Sequence, residues 1–310
     1  MGKILVIGSS NTDLISTVKS FPSAGETIIG TSFLQAMGGK GANQAIAAHR
    51  LGGDVKFIMC LGKDANGLNA LKYYEAEGLD VSSSMIVDDV PSGTAIILVD
   101  EKGENCIVIT PGANKMLTPD YIYKVEEAII ESDMVVMQME IPYETVKTVC
   151  ELAHRNQKRV MLNVAPACQL DAELIKNIDI LVVNETEAET ISGEKIEPIG
   201  EEAVVDKLRA MGVNTVVLTL GKKGCLLKNN QIVQHVPAFM MEALDTTAAG
   251  DTFCGALAAE LSRGHEWEET LKFATAASAI CVTRMGAQPS IPSEEEVREF
   301  LSNNLELTSK

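Results

Sequence analysis

Short apolar runs alternate along most of the chain with longer segments in which apolar residues recur at helical spacing. The run 4–7 predicts a first buried strand, and a strand at 56–61 is followed by a predicted helix at 66–77. Beyond residue 120 helices are predicted at 120–131, 143–156, 171–177, 185–192 and 200–211, and strands at 134–138, 159–164, 179–183 and 215–220. Such alternation implies right-handed βαβ units and a mostly parallel sheet, so we expect an α/β fold.

Two segments do not fit this alternation. Residues 93–109 predict a hairpin with E-K-G-E as its turn, and the segment 27–33 also favours a strand. We assign both to a small additional sheet that could act as a lid over a binding site. No low-complexity linker divides the chain, so we expect residues 1–310 to form one folded unit. The last part of the chain predicts helices at 252–263, at 268–283 and from Ser293.

Composition and charge narrow the possible partners. The 310 residues are 46% hydrophobic and 22% charged, which is typical of a soluble globular protein, and the formal net charge is −17. This excess of negative charge argues against nucleic acid or an anionic membrane as the main partner. The seven Cys are scattered without metal-ligand spacing to the four His, which favours reduced thiols in the cytoplasm. The apolar runs are too short for a signal peptide or a membrane span.

The segment 245–255, which reads D-T-T-A-A-G-D-T-F-C-G, combines small residues with a predicted helix start. Amides at the start of a helix lack intrahelical partners and the helix dipole favours negative charge there, so the segment predicts an anion site. Asp251 would repel a resting phosphate, but it could accept a proton from a hydroxyl that attacks one. The alternative is that Asp251 caps the helix, a common role for Asp.

A second glycine-rich segment, G-G-K-G-A-N at 38–43, runs into a predicted helix that ends near Gly52. It is not a Walker A loop, because no Gly-Lys pair of the chain is followed by Ser or Thr. Its glycines would allow close approach to a ligand, while Lys40 and Asn43 could donate to oxygens. After the first strand, Asn11 and Asp13 could face one ligand if the chain stays extended, or could form an ordinary Asx turn.

Polar residues follow most of the predicted strands, at 138–140, Asn163, 184–187 and 219–221. Ligands of open α/β sheets bind beyond the carboxyl ends of the strands, so we expect these residues to form one site. Glu140 could hold a substrate hydroxyl, and Asn184 with Glu187 could organise a hydrated Mg²⁺. The acidic run 185–189 could instead be only a helix start favoured by the dipole. T-L-G-K-K-G at 219–224 predicts a strand and a glycine turn against which a nucleotide could lie.

Five segments taken together resemble the PfkB carbohydrate kinase family: 38–45, 184–187, 219–224, 245–253 and 282–290. The resemblance covers essentially the whole chain in the expected order, and it is strongest to the branch that phosphorylates D-ribose. It implies a Rossmann-like three-layer sandwich with a small β-sheet lid at about 12–34 and 92–111, through which relatives also form a homodimer. The implied reaction is transfer of the γ-phosphate of ATP to the 5-hydroxyl of D-ribose.

The resemblance also implies roles for individual residues. Asp251 would be the base, beside an anion hole of amides from Ala248, Ala249 and Gly250. The sugar would be held by Asn11, Asp13, Gly39, Lys40, Gly41, Ala42, Asn43, Glu140 and Asp251. The nucleotide would contact Asn184, Thr219, Leu220, Gly221, Lys222, Lys223, Gly224, Gly250, Asp251 and Thr275. Glu187 would support Mg²⁺ indirectly, and a monovalent cation, K⁺, would lie beside Asp245, Thr247, Cys281, Arg284, Gly286 and Ser290, several of them through backbone carbonyls.

Two positions depart from the family pattern: Cys254 stands where Asn is usual, and Thr275 stands where relatives often place Asn near the adenine. We expect neither to touch the chemistry, so they bear on nucleotide preference more than on activity. Deoxyribose, another pentose or a nucleoside is an alternative acceptor, although the aromatic content of 4% argues against a stacked purine. A non-catalytic sugar-binding regulator is the alternative from a different class, and the intact Asp251 argues against it.

Overall fold

The computed structural model describes residues 1–308, with side chains through residue 304. The strands of the described chain are β1 (Lys3–Ile7), β2 (Asn11–Thr17), β3 (Ser32–Gly38), β4 (Asp54–Ile58), β5 (Cys60–Gly62), β6 (Met85–Val87), β7 (Gly93–Val99), β8 (Asn105–Thr110), β9 (Met134–Met137), β10 (Arg159–Asn163), β11 (Ile180–Asn184), β12 (Thr215–Thr219), β13 (Cys225–Lys228) and β14 (Val233–Val236). Its α-helices are α1 (Lys40–Arg50), α2 (Ala65–Ala76), α3 (Pro119–Lys124), α4 (Glu126–Glu131), α5 (Tyr143–Arg155), α6 (Ala172–Ile175), α7 (Glu185–Ser192), α8 (Ile196–Ile199), α9 (Glu201–Ala210), α10 (Ala249–Ser262), α11 (Trp267–Cys281) and α12 (Glu294–Thr308).

The central sheet has eight strands in the order β14-β13-β12-β11-β10-β9-β1-β4. The neighbours from β4 to β12 pair in parallel, and β13 and β14 extend one edge antiparallel. Parallel neighbours need long crossover connections, which the helices between the strands provide. This is the mostly parallel sheet that the alternating pattern predicts, in the Rossmann-like form that the family resemblance implies.

Helices cover both faces of the central sheet. Along β1, Ile4 and Val6 join one buried apolar cluster with residues of α1, α10 and α11, whereas Leu5 and Ile7 join a second cluster with residues of α5, α7 and α9. Alternate residues of a strand point to opposite faces, and a strand buried on both faces is therefore apolar throughout. The result is a three-layer sandwich, and its functional groups have to come from the strand ends and the loops.

A separate four-stranded sheet has the order β3-β2-β7-β8. The hairpin of β7 and β8 forms as expected. β2 also belongs to this sheet and pairs with β7, so the extended alternative at Asn11 and Asp13 is the one observed. The expected strand at 27–33 is displaced, because β3 pairs with β2 from Ser32 to Gly38. Ile29 lies outside that ladder and is 92% exposed. The β propensity of this segment, without a partner strand, is not enough to make it a strand.

Several other boundaries differ from the predicted ones. The expected strand 56–61 is two strands: β4 belongs to the central sheet, and β5 pairs with β6 in a small sheet of its own. The expected helix 120–131 breaks at Val125, where φ is −112°. Helix α10 begins at Ala249, before the expected Thr252, and β14 and α8 have no predicted counterpart. Within residues 1–308, none of the helices combines enough length and apolarity to cross a membrane.

Candidate active site

A cavity of about 400 Å³ lies between the carboxyl ends of the central strands and the four-stranded sheet. It brings together groups from segments that are far apart in the chain. The lining residues are Asn11, Asp13, Gly39, Lys40, Asn43, Ala95, Ile97, Asn105, Ile107, Ile109, Glu140, Asn163, Ala165, Val182, Asn184, Glu187, Thr219, Thr246, Thr247, Ala248, Gly250, Asp251 and Cys254.

The start of α10 presents free amide groups to this cavity. Ala248, the N-cap residue, has a left-handed backbone with φ of 59°. The amide of Ala249 donates to the Thr246 carbonyl at 3.3 Å, but within the described residues the amides of Gly250 and Asp251 have no acceptor. A side chain at Gly250 would meet no atom within 4 Å, so the backbone at this position borders open space. Such a helix start is suited to bind an anion.

Asp251 is buried in the wall of the cavity and does not cap α10. Its Oδ2 accepts from Nδ2 of Asn43 at 2.9 Å, and its Oδ1 accepts from Nε2 of Gln44 at 3.0 Å. The capping alternative is therefore wrong, because both oxygens accept from side-chain amides of α1 and neither accepts from a helix amide. The carboxylate is held by groups that are distant in the chain, at the edge of an open anion site.

Asn11 and Asp13 lie in β2, where the extended backbone directs both side chains into the cavity. Oδ1 of Asn11 accepts from Asn114 at 2.8 Å, which leaves the Nδ2 hydrogens of Asn11 to donate to a ligand. Burial, with additional repulsion from Glu140 and Asp251, raises the pKa of Asp13 to about 7. The Asx-turn alternative for these two residues is wrong, since they belong to a sheet ladder.

Glu140 and Lys40 add opposite charges to the same wall. Oε2 of Glu140 accepts from Oγ of Ser9 at 2.6 Å and from the Lys40 amide at 3.1 Å, and Oε1 is free to accept from a ligand. The half-buried ammonium of Lys40 forms no ion pair within the described chain. Its pKa is raised mainly by the charge of Asp251, against the effect of burial, and further by Glu140 and Glu187.

Two of the glycines expected near the sugar are required by packing. At Gly39 φ is +88°, and a Cβ would lie 2.8 Å from the amide nitrogen of Asn11. At Gly41 a Cβ would lie 2.5 Å from the amide nitrogen of Ser9. These glycines let the start of α1 pack against the turn between β1 and β2. Gly41 and Ala42 are buried by this contact and do not line the cavity, although the sequence assigned both to the sugar.

The residues expected to contact the nucleotide differ in how far they are buried and in whether they line the cavity. Asn184 and Glu187 form a capping box at the start of α7, and burial raises the pKa of Glu187. Thr219 lines the cavity, Gly221 has φ of +53° with open space around it, and Lys222 and Lys223 are exposed. Six of the expected nucleotide residues do not line the cavity: Leu220, Gly221, Lys222, Lys223, Gly224 and Thr275. Leu220 and Thr275 are buried, and a Cβ at Gly224 would lie 2.0 Å from the Val236 carbonyl oxygen.

The residues expected to hold K⁺ form a connected group behind the start of α10. Oδ1 of Asp245 accepts from the amide and hydroxyl of Thr247, and Oδ2 accepts from the amide of Gly286. The thiol of Cys281 lies 3.7 Å from the Thr247 carbonyl and 3.0 Å from Oγ of Ser290. Arg284 differs, because its guanidinium pairs with Glu296, so only its carbonyl could serve a cation.

Several site groups were not among the expected residues. The four-stranded sheet contributes Ala95, Ile97, Asn105, Ile107 and Ile109 at alternate positions of β7 and β8, a pattern the hairpin prediction could have supplied. Asn163 was noticed only as a polar strand end. Cys254, expected to be remote from the chemistry, lines the same cavity one helical turn after Asp251, and burial raises the pKa of its thiol well above the usual range.

An open parallel sheet with an anion-binding helix start and an adjacent buried carboxylate defines a phosphotransferase that acts on a hydroxyl group. The model of the pfkB family of carbohydrate kinases matches residues 1–294. The chain therefore belongs to the PfkB carbohydrate kinase family.

Individual relatives agree with this assignment. The chain is 40% identical over 303 residues to a ribokinase of Haemophilus influenzae, covering 97% of this chain and 98% of that protein. It is 36% identical over 303 residues to a deoxyribokinase of Salmonella typhimurium, covering 97% and 99%. The structure of Arabidopsis thaliana ribokinase complexed with ribose and ATP superimposes with a TM-score of 0.89 at 31% identity, covering 97% of this chain and 98% of that one.

Proposed function

We infer that the protein transfers the γ-phosphate of ATP to the 5-hydroxyl of D-ribose, giving D-ribose 5-phosphate and ADP. The observation that carries the chemistry is the position of the Asp251 carboxylate beside the free amides of Gly250 and Asp251 in one cavity. A base and an anion site side by side are what transfer of a phosphoryl group to a hydroxyl requires. The relatives named ribokinase support D-ribose as the acceptor.

Asp251 is the general base in this proposal. It accepts the proton of the sugar hydroxyl while the hydroxyl oxygen bonds to the γ-phosphorus. The bond from that phosphorus to the β–γ bridging oxygen breaks, and ADP leaves with the electron pair. Oδ2 is the oxygen on the side of Asn43, which lines the cavity, so we assign the proton to Oδ2.

The remaining hydroxyls of the sugar have complementary partners. Asn11 donates through Nδ2, whereas Asp13 and Oε1 of Glu140 accept. Asn43 borders the same part of the cavity and holds the Asp251 carboxylate through Nδ2. Gly39 and Lys40 supply the adjoining backbone, and the position of Gly41 and Ala42 behind it limits them to support.

Charge on the transferred phosphoryl group would be stabilised by the free amides of α10 and by the ammonium of Lys40. Glu187 fits a divalent cation held mainly by water, because it lines the cavity and only its Oε2 is used, by the Asn184 amide. When bound with ATP, Mg²⁺ would neutralise charge on the phosphates. On the nucleotide side we assign Asn184, Thr219, Gly221 and Lys222 to direct contacts. Lys223 pairs with Glu201 outside the cavity, and we assign Leu220, Gly224 and Thr275 to support of the loop.

We propose that the four-stranded sheet serves as a lid within one kinase domain of residues 1–310. The face that it turns to the cavity is mostly aliphatic, with Ala95, Ile97 and Ile107 among its residues. Closing this face over the substrates would exclude water, which otherwise hydrolyses ATP. No aromatic residue lines the cavity in the described chain, which disfavours a nucleoside acceptor that needs a stacking partner.

The opposite face of this lid sheet supports a homodimer. Phe33, Ile96 and Val108 alternate with the cavity-facing residues and are 67%, 51% and 59% exposed. An exposed apolar sheet is a liability for a monomer, and pairing with a second copy would cover it. Light scattering should report a dimer at micromolar concentration, and Val108→Asp should shift it towards monomer; a wild-type monomer with full activity would contradict the dimer.

We place the enzyme in the cytoplasm because of its reduced cysteines.

The substitution Asp251→Asn tests the catalytic assignment. Asn keeps the shape, and Asn43 can turn its unpartnered Oδ1 towards the new amide, so we expect the fold and ligand binding to persist. Loss of a positioned general base should lower turnover by roughly 10² to 10⁴. Turnover is measured by coupled ADP release, with ribose and ATP binding followed by calorimetry on the same variant.

Asp171→Asn is the matched control, because Asp171 is a true N-cap that accepts from the amides of Glu173 and Leu174, away from the cavity. Asn serves equally well at an N-cap, so this variant should keep wild-type turnover. A fall of less than about tenfold in Asp251→Asn, with both ligands still bound, would exclude Asp251 as the base.

Deoxyribose is a second candidate acceptor, because the Salmonella typhimurium deoxyribokinase is 36% identical to this chain. The two sugars differ only at the 2-hydroxyl. If Asn11, Asp13 or Glu140 binds that hydroxyl, its absence leaves a buried polar group unpaired, and kcat/KM should favour D-ribose. Phosphorylation assays across a panel of pentoses and nucleosides decide the acceptor, and no ADP release with any sugar would favour a non-catalytic regulator.

A further inference from the structure

Gln44 is fully buried beside the cavity but does not line it. Its Nε2 donates to Oδ1 of Asp251 at 3.0 Å and to Oδ1 of Asn163 at 3.1 Å, and its Oε1 accepts from Nε2 of Gln138 at 2.7 Å. Any influence of Gln44 on a reaction in the cavity therefore has to act through a neighbour. Of these neighbours, Asp251 is the one to which we have assigned a proton transfer.

The orientation of the Gln44 amide is fixed from two sides. Nδ2 of Asn163 donates to the Val182 carbonyl at 3.1 Å, and a carbonyl can only accept, so Asn163 has to present its oxygen to Gln44. Asp251 as a carboxylate also accepts only. Both neighbours thus require the NH₂ group of Gln44 on their side, and the oxygen then faces Gln138.

Gln138 makes this arrangement costly for the fold. Its Oε1 is buried and has no hydrogen-bond partner within the described residues. An unsatisfied buried acceptor destabilises a protein, and an apolar side chain of similar size would avoid that cost. The benefit of Gln138 has to come from its NH₂ group, which holds the oxygen of Gln44.

We propose that Gln44 is a positioning residue, which orients the Asp251 carboxylate so that Oδ2 faces the acceptor hydroxyl, with Gln138 and Asn163 fixing its own orientation. The proposal rests on the assigned role of Asp251 as the base. A carboxylate turns readily about its terminal torsion, which is broad and roughly two-fold. A donor on each oxygen, Gln44 on Oδ1 and Asn43 on Oδ2, removes that freedom before the substrate arrives.

A double-mutant cycle tests the proposal. Gln44→Met keeps the length of the side chain and removes its amide, and with it both the donor and the acceptor. In the wild-type background it should lower kcat by roughly 10- to 100-fold, the usual consequence of a misplaced catalytic group, while KM for ribose and ATP changes by less than about threefold. In the Asp251→Asn background the same substitution should lower kcat by less than about twofold, since the group that it positions is no longer a base.

Controls separate positioning from general damage. Thr145 is equally buried and donates to the Leu117 carbonyl at 2.6 Å in another part of the fold, so Thr145→Val should lower the melting temperature and leave kcat unchanged. If Gln44→Met does not fold, Gln138→Met replaces it; this variant leaves the contact with Asp251 in place and should give a smaller loss of kcat that also vanishes in the Asp251→Asn background.

Each outcome is decisive. Equal losses of kcat in both backgrounds, or a rise in KM that accounts for the loss, would overturn the positioning role of Gln44 and leave the base assignment intact. A nearly unchanged kcat in Asp251→Asn alone would instead refute the base assignment. Non-additive losses confined to kcat would establish that Gln44 acts through Asp251.

Discussion

The proposed acceptor side and the proposed nucleotide side of the cavity differ in how far they are organised before a ligand binds. On the acceptor side Asn11, Asp13, Asn43 and Asp251 are 4%, 6%, 5% and 6% exposed, and all but Asp13 are held by side-chain hydrogen bonds. On the nucleotide side Gly221, Lys222 and Thr247 are exposed, and Lys223 pairs with Glu201 instead of facing the cavity.

This difference assigns separate tasks to the two sides. A transition state for phosphoryl transfer is stabilised by groups that are already in place, and the acceptor side has them. The cost of this organisation is charge repulsion. Asp13, Glu140 and Asp251 are three carboxyl groups that share one wall with a single ammonium, that of Lys40. The nucleotide side has little charge repulsion of this kind, and ATP with its cations can complete the binding site there.

Asp13→Asn should give the largest effect on binding while stabilising the free protein. Replacing the carboxylate removes a charged acceptor for sugar hydroxyls, so the affinity for ribose, measured by calorimetry, should fall roughly 10- to 100-fold. The same change removes repulsion among the three carboxyl groups, so the melting temperature at pH 8 should rise. ATP affinity should stay unchanged, and a matching loss there would show that the two sides are not separately organised.

The pH dependence of ribose binding should also distinguish the acceptor side from the nucleotide side. The pKa of Asp13 is raised to about 7, so below pH 7 its carboxyl group is protonated in the free protein and accepts hydroxyls poorly. The ribose association constant should therefore fall by up to about tenfold for each pH unit below 7 until it reaches the value of Asp13→Asn, and it should level off above pH 7. Nucleotide binding should not follow this curve, and the dependence should disappear in Asp13→Asn.

The contribution of Asp13 to stability should change with pH in the opposite direction. The pKa is higher in the folded protein than in the unfolded chain, where the usual value is 3.8, so the folded state binds the additional proton between these two values. Stability from this group is accordingly present at low pH and is lost as the pH rises towards 7. A melting temperature that rises with pH equally in wild type and Asp13→Asn would contradict this origin.

The sequence was informative where a group is placed by its own segment. The start of α10 could be recognised because small residues, a helix start and Asp251 lie within one short stretch. The pairing of Asp251 with Gln44 and of Asn11 with Asn114 could not, because sequence separations of 207 and 103 residues are closed only by the tertiary fold. For the same reason the sequence did not decide between an extended segment and an Asx turn at Asn11 and Asp13, since these polar residues are strand residues only when β3 and β7 flank them.

A cation effect should be the smallest of these changes and should act from the nucleotide side. Asp245 connects Thr247 to Gly286 directly behind the amides of α10, so a K⁺ ion bound there would order the turn that carries them. Activity should be higher in K⁺ than in Na⁺ alone, and about fivefold higher than in choline, a modest coupling between two sites.

Asp245→Asn keeps an oxygen for Thr247 but turns an amide towards the Gly286 N–H, so it should abolish the difference between K⁺ and choline. The affinity for ribose should be the same in all of these conditions, because the acceptor side is already in place. Equal wild-type activity in K⁺ and choline would show that no activating cation binds at Asp245.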